Sequence, residues 1–157
     1  MYARSGVEQA CLGLQAACGA DVNLLLFCCW MGTRRRPLGR GFLRRVIAAT
    51  SGWQSEVVQP LRGVRRALKK ADAGLPRAWR AHLRAHVSTL ELDAEYVEQL
   101  RLARLAAQAP RPVKGASARE TVEANLERYL GLLGSQVGAV SRRRAQTLCA
   151  ASVPRRI

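Results

Sequence analysis

The sequence predicts an all-α fold: a single-domain array of six or seven helices around a central apolar helix at about residues 22–31. Apolar residues recur at spacings of three and four along most of the 157 residues. No segment alternates with the period of two that is typical of half-buried strands. Glycine and proline fall mainly between the periodic segments, where helices end or restart. Because only 5% of the residues are aromatic, we expect a core of leucine, valine and alanine.

The first two helices have the clearest boundaries. The first is predicted from Val7 to Cys18, with Gly19 at its carboxyl end. The second is predicted over residues 22–31, with Asp21 as its N-cap and Gly32 as its C-cap. The second helix is apolar on every side, so we expect it to be the central buried element.

The middle of the chain predicts a short helix over residues 42–50 and a longer one over residues 53–71. The longer one is defined by an apolar stripe that passes through Pro60, where we expect a kink or a restart. Seven residues from this stripe and the central helix are expected at the centre of the core: Leu24, Leu25, Phe27, Cys28, Leu61, Val64 and Leu68.

The rest of the chain predicts three further helical stretches. Pro76 opens a long pattern that extends to about residue 108, and Ser88 with Glu91 leaves open a break within it. Ser117 caps a helix over residues 118–133, and a last helix covers about residues 137–150. We therefore expect a helical core at 6–108, a linker at 109–117, a carboxyl-terminal helical pair at 118–150 packed on the same domain, and a frayed tail at 151–157.

Two motifs resemble a known family. They are Asp-Val-Asn-Leu-Leu-Leu-Phe-Cys at 21–28 and Pro-Leu-Arg-x-x-Arg-Arg at 60–66. The chain is similar over roughly residues 8–105 to a small bacterial family of uncharacterised helical proteins, known only as a domain of unknown function. The resemblance implies a helical fold, and it brings no activity, cofactor or catalytic residue.

The charge is strongly basic and unevenly distributed. Lysine and arginine total 26 against 11 acidic residues, a formal net charge of +15. Residues 34–90 hold fourteen basic and two acidic residues, whereas residues 91–127 hold five basic and seven acidic ones. Such a charge is typical of proteins that bind nucleic acid, anionic membranes or acidic proteins. Because all but three of the basic residues are arginine, a coding bias that leaves a solvated basic surface stays open.

Four basic residues share one face of the helix that follows Pro60: Arg62, Arg65, Arg66 and Lys69. Three interpretations stay open. The face is solvated, or Arg62 or Arg65 turns inward to pair with Asp21, or the face binds the phosphate groups of nucleic acid, nucleotide or lipid.

Asp21 and Asn23 stand at the entry to the apolar helix. Asp21 is expected to cap it, since an aspartate oxygen accepts backbone N–H groups of the first turn. Asn23 interrupts an apolar run, so its buried amide requires a hydrogen bond to a neighbouring helix. The alternative is a ligand site that includes both residues.

Other candidate sites are weak. The five cysteines form no Cys-x-x-Cys pair, so we expect reduced thiols in a cytoplasmic protein. His82 and His86 lack a third metal ligand, and a single Gly39-Arg40-Gly41-Phe42 stretch is little support for RNA binding. We expect no signal peptide and no transmembrane segment. Four acidic side chains are expected to pair in solvent with Arg101 and Arg104: Glu91, Asp93, Glu95 and Glu98.

The sequence favours a non-enzymatic binding protein that needs no cofactor or metal. Its basic face, formed by residues 62–70 together with residues 34–45, would bind a polyanion such as nucleic acid, or an acidic protein surface. One alternative is a small-ligand or enzyme site built from Asp21, Asn23 and facing arginines. A second alternative is peripheral association with a membrane.

Overall fold

The computed structural model describes residues 6–70, 74, 76–134 and 138–153. These residues form helices and no strand, which confirms the all-α prediction. The α-helices are α1 Val7–Cys18, α2 Val22–Thr33, α3 Arg40–Trp53, α4 Gln59–Lys70, α5 Arg77–Ala106, α6 Ala118–Leu132 and α7 Ala139–Ser152. A π-helical stretch, Gln54–Val58, joins α3 to α4 without a break.

The chain forms two compact units. The first comprises residues 1–47 and 105–157, and the second comprises residues 48–104. Both divisions fall within helices, α3 and α5, whereas the sequence placed its linker at 109–117. The carboxyl-terminal pair, α6 and α7, packs on α1 and α2 within the first unit. The tail expected to be frayed begins at residue 151, but α7 continues to Ser152. Residues 154–157 of that tail lie outside the described residues.

The centre of the first unit is α2, as the sequence predicts. Its buried residues include Leu25 and Cys28, both with no exposed surface. Helices α1, α6 and α7 all pack against it. An apolar helix with no polar face is stable only when most of its surface is buried, and α2 leaves only Trp30 and Thr33 exposed.

The predicted end of α2 was wrong, because Gly32 lies inside the helix and Arg34 forms the C-cap. A Cβ atom on Gly32 would come within 2.5 Å of Val122 Cγ2 and 2.6 Å of Val122 Cα. Gly32 is therefore required by the close approach of the α2 and α6 backbones, since any larger side chain would collide with α6.

Asn125 of α6 anchors the loop between α2 and α3. Its Oδ1 accepts the Leu38 backbone N–H at 2.7 Å. Its Nδ2 donates to the carbonyl oxygens of Arg36 at 3.1 Å and Cys28 at 3.3 Å. Asn125 is completely buried, and these bonds satisfy its amide in the way that a buried polar group requires.

In the second unit, the helical backbone accommodates Pro60 of α4 by forming a wider, π-helical turn just before it. A proline removes one N–H donor and clashes with the carbonyl four residues earlier. Here the backbone widens into the π-helical stretch, and the Gln59 N–H bonds to the Gln54 carbonyl five residues back. The helix therefore continues through Pro60 to Lys70 without the restart that was one of the two expectations.

The π-helical stretch also explains why part of the predicted core was wrong. None of the α4 residues is buried, and Val64 is 48% exposed. The sequence prediction assumed an unbroken period of 3.6 residues from Trp53 to Leu68. One extra residue in the turn rotates the following helix by about 100°. Val64 thereby faces solvent, and Leu61 and Leu68 are half-buried where the sequence predicts core residues.

Helix α5 is continuous over 30 residues, so the break left open at Ser88 does not occur. At a rise of 1.5 Å per residue it is about 45 Å long. Its amino-terminal part is largely exposed, including Trp79 at 61% and Leu83 at 43%.

Candidate functional site

Asp21 caps α2, which confirms that prediction. Its Oδ1 accepts the backbone N–H groups of Asn23 at 2.8 Å and Leu24 at 3.4 Å. The Asp21 backbone N–H donates to the Tyr129 hydroxyl at 2.8 Å. Burial raises the pKa of Tyr129, so the hydroxyl stays neutral. Asn23 is buried at 7% exposure. These contacts account for Asp21 as a residue that holds α2 to α6.

Four charged side chains in the second unit form an ion-pair cluster: Arg62, Arg65, Glu91 and Glu95. Arg62 Nε lies 3.2 Å from Glu91 Oε1, and its Nη2 lies 2.5 Å from Glu95 Oε1. Arg65 Nε lies 2.5 Å from Glu91 Oε2. Arg62 reaches the later Glu95, whereas Arg65 pairs only with the earlier Glu91, an order that indicates an antiparallel hairpin of α4 and α5.

The carboxylate partners of Arg62 and Arg65 are therefore Glu91 and Glu95, whereas one of the three interpretations paired one of these arginines with Asp21. Burial lowers the pKa of Arg62, but its bonds to Glu95 and Glu91 together raise it above the usual value. The bond to Glu91 is the main reason that the pKa of Arg65 is also raised. Both guanidinium groups stay charged, and both are engaged within the hairpin.

The expected solvent pairs of the α5 acids with Arg101 and Arg104 were wrong. Glu91 and Glu95 belong to the ion-pair cluster, and Glu98 is completely buried and accepts from Gln54 Nε2 at 2.7 Å. The Arg101 guanidinium instead stacks on the Trp53 ring at 4.7 Å. The spacing of the three glutamates was the missed signal, because positions four and seven residues apart share a helix face.

The other predicted basic residues of α4 are exposed. Arg66 donates from Nε to the Arg62 carbonyl oxygen at 3.2 Å, and Lys69 is open to solvent. Lys69 follows Arg62 by seven residues, or two helical turns, so it lies on the same face of α4. On α5, Arg84 precedes Glu91 by the same seven residues and Arg77 precedes Arg84 by seven more.

The charges on the two facing sides of the hairpin thus change along its length. Opposite charges meet at the ion-pair cluster, whereas cations occupy both helices nearer the connection between them. We call this region the basic end, defined by five exposed residues: Arg66, Lys69, Lys70, Arg77 and Arg84. Among the described residues, none of the five has an ion-pair partner.

Aromatic rings lie on α5 beside the basic end. Trp79 meets His82 edge-on at 5.7 Å between centroids, and His82 lies 4.2 Å from His86. The described residues contain no group of three side chains able to hold a metal ion. The two histidines therefore extend an exposed aromatic row.

Two further features lie apart from the predicted residues. Phe42 of the Gly-Arg-Gly-Phe stretch is 7% exposed, and its ring is covered by Arg45 at 5.4 Å, so it offers no stacking surface. A cavity of about 340 Å³ between α6 and α7 is lined by Glu123, Leu126, Glu127, Leu130, Arg142, Ala145 and Gln146.

The cysteines behave as core residues. Four are buried, Cys18 is half-buried, and none of the five forms a disulfide. Burial raises the pKa of Cys11, Cys29 and Cys149 to about 11. Thiols with such pKa values are protonated at neutral pH and are poor nucleophiles.

The first 102 residues match a family model whose description is "Protein of unknown function (DUF2390)". The chain belongs to this family. The match covers both sequence motifs and extends from α1 into α5, so it includes the ion-pair cluster and the basic end. No curated protein and no solved structure matches the chain. Within the described residues, no helix combines the length and the apolar character that a membrane crossing requires.

Proposed function

We propose that this DUF2390 protein is a non-enzymatic binding protein whose basic end contacts the phosphate groups of nucleic acid. One observation carries the proposal: α4 and α5 both present cations at the basic end, without carboxylates among the described residues to neutralise them. This modifies the sequence hypothesis, because Arg66 and Lys69 are kept as contacts and Arg62 and Arg65 become positioning residues.

Electrostatics supports this division of roles. Like charges on two adjoining helices repel, and an anion placed between them removes the repulsion. The ion-pair cluster joins α4 to α5 one turn before Arg66 and two turns after Arg84, so it holds the two cation-bearing helices together against their repulsion. Arg77 and Arg84 are two turns apart, about 10 Å along α5, a distance that spans a few phosphates of a nucleic acid strand.

Nucleic acid is favoured over a membrane because α4 exposes too little apolar surface to insert into lipid. Val64, at 48%, is the one strongly exposed large apolar side chain of α4. An amphipathic membrane helix needs a broad apolar side formed by many such residues. The exposed Trp79 beside the basic end also suits base stacking in a single strand.

The small-ligand or enzyme alternative at Asp21 and Asn23 has less support. The Asp21 carboxylate is occupied by the first turn of α2, and the partners of Arg62 and Arg65 belong to the hairpin. The proposal also places the protein in the cytoplasm, and the reduced, buried thiols support that location.

Fluorescence anisotropy with single-stranded DNA at several salt concentrations tests the proposal. We expect a dissociation constant of about 10⁻⁶–10⁻⁴ M, with affinity that falls steeply as salt rises. Reversal of two charges, Arg66→Glu with Lys69→Glu, should make the log–log salt slope shallower by about 1.4, because each phosphate contact with a single strand contributes about 0.7. The effect should be similar for different sequences, because phosphate contacts carry no sequence information.

The matched control is Arg142→Glu with Arg143→Glu, an equal change of charge at two exposed positions of α7. If this variant reduces binding as much per charge as the α4 variants do, binding reflects only the net charge of +15. No binding to DNA or RNA at low salt, together with binding to vesicles rich in anionic lipid, would favour the membrane alternative and contradict the proposal.

A further inference from the structure

Helix α5 carries a second exposed surface, on the side away from the ion-pair cluster. Six uncharged residues, which we call the α5 stripe, recur there at spacings of three and four: Ala85, Thr89, Leu92, Tyr96, Leu100 and Ala103. All six are exposed, with Leu92 at 63%, Tyr96 at 60% and Leu100 at 44%. The stripe spans 18 residues, or about 27 Å of helix.

Its composition and position indicate a contact surface. In a chain that is 24% charged, no charged residue interrupts it. Glu91 faces α4, where it pairs with Arg62 and Arg65. Leu92 follows Glu91 in the sequence and is turned from it by about 100° around the helix axis, so the stripe does not face α4. Spacings of three and four sustained over five turns are typical of a helix that packs against another helix.

The charges beside the stripe indicate what that other helix is. Asp93 and Arg104 are eleven residues apart, or three turns, and lie along the same edge of the stripe. Both are exposed, and among the described residues neither has an ion-pair partner. One edge therefore carries an anion near its middle and a cation near its end.

This arrangement is complementary to itself. In two antiparallel α5 helices related by a two-fold axis, every contact occurs twice. When Asp93 lies opposite Arg104 of a second copy, Arg104 lies opposite Asp93 of that copy. The same register places Tyr96 beside Leu100 and Leu92 beside Ala103 of the second copy.

We infer that the α5 stripe is a dimerisation surface, and that a second copy of this chain occupies it in an antiparallel arrangement. A seam along one helix is smaller than the roughly 800 Å² per partner of a standard stable interface. The net charge of +15 on each copy also opposes association. We therefore expect a dissociation constant in the micromolar range, about 10⁻⁶–10⁻⁵ M.

Sedimentation equilibrium of the whole chain over a range of concentrations tests this inference. Leu92→Glu should weaken the dimer about tenfold or more, since the substitution occurs twice in each interface. Leu90→Glu is the matched control: Leu90 is also exposed, at 54%, but it lies away from the stripe. This variant should change the dissociation constant by less than about twofold. Circular dichroism should show the same helix content for both.

The register is tested by exchanging the two charges. Asp93→Arg and Arg104→Asp should each weaken the dimer, and the double variant should recover most of the wild-type affinity. A protein that stays monomeric at the highest concentration would overturn the inference. Equal weakening by Leu90→Glu and Leu92→Glu would do so as well, and a double variant without recovery would overturn the antiparallel register.

Discussion

At the scale of single residues, a few specific contacts explain why Asp21 and Gly32 stand where they do, and only one of the two roles is readable in the sequence. The N-cap role of Asp21 could be predicted, because the signal is local: an aspartate directly before an apolar run. The role of Gly32 could not, because a glycine that ends a helix and a glycine that admits a neighbouring helix look alike in one sequence. Only the position of Val122, ninety residues later, distinguishes them.

Gly32→Ala should therefore lower the stability of the first unit. The added methyl group would meet both the backbone and the side chain of Val122, and overpacking of this kind costs about 1–3 kcal/mol. Gly131→Ala is the control, because Gly131 lies in α6 with nothing within 4 Å of its added Cβ. Urea unfolding monitored by circular dichroism measures both. Similar stability of the two variants would contradict the close approach of α2 and α6.

At the scale of elements, the existence and type of the helices could be predicted, and their rotation could not. Periodicity fixes which side of a regular helix is apolar, but the π-helical stretch at Gln54–Val58 rotates everything after it. For that reason Leu61, Val64 and Leu68 were expected in the core, and Arg62 and Arg65 were left with several alternatives. Their partners Glu91 and Glu95 are distant in sequence, and pairing at that distance depends on the path of the chain.

The ion-pair cluster is expected to stabilise the hairpin. Glu91 accepts from both arginines and has a side chain that is only 10% exposed. Glu91→Gln keeps the shape and removes the charge, and loss of hydrogen bonds to a charged group costs about 1.5–3 kcal/mol. The control Glu56→Gln changes an exposed glutamate in the same unit and should alter stability by less than about 0.5 kcal/mol. Equal effects in thermal or urea unfolding would show that the cluster contributes little.

At the scale of the whole molecule, the net charge does not locate a binding site. It is more informative to ask which basic side chains are paired with carboxylates and which are not. The sequence places most of the positive charge in residues 34–90. Within that segment the structure separates arginines held by glutamates from cations that have no such partner among the described residues. Arg35, Arg40 and Arg44 also lack such a partner among the described residues, and the basic end is the part of this unpaired charge that lies on the hairpin. Composition alone could not predict it, because the neutralising glutamates lie in the following segment.

Hydrogen–deuterium exchange with and without single-stranded DNA at low salt tests the central claim most directly. Amide protection reports where the nucleic acid lies on the chain, independently of net charge. The account predicts slower exchange in peptides from the end of α4 and the first three turns of α5, and unchanged exchange in α7, although α7 also carries exposed arginines. Protection of α7 equal to that of the hairpin, or no protection of the hairpin under conditions where DNA is bound, would contradict it.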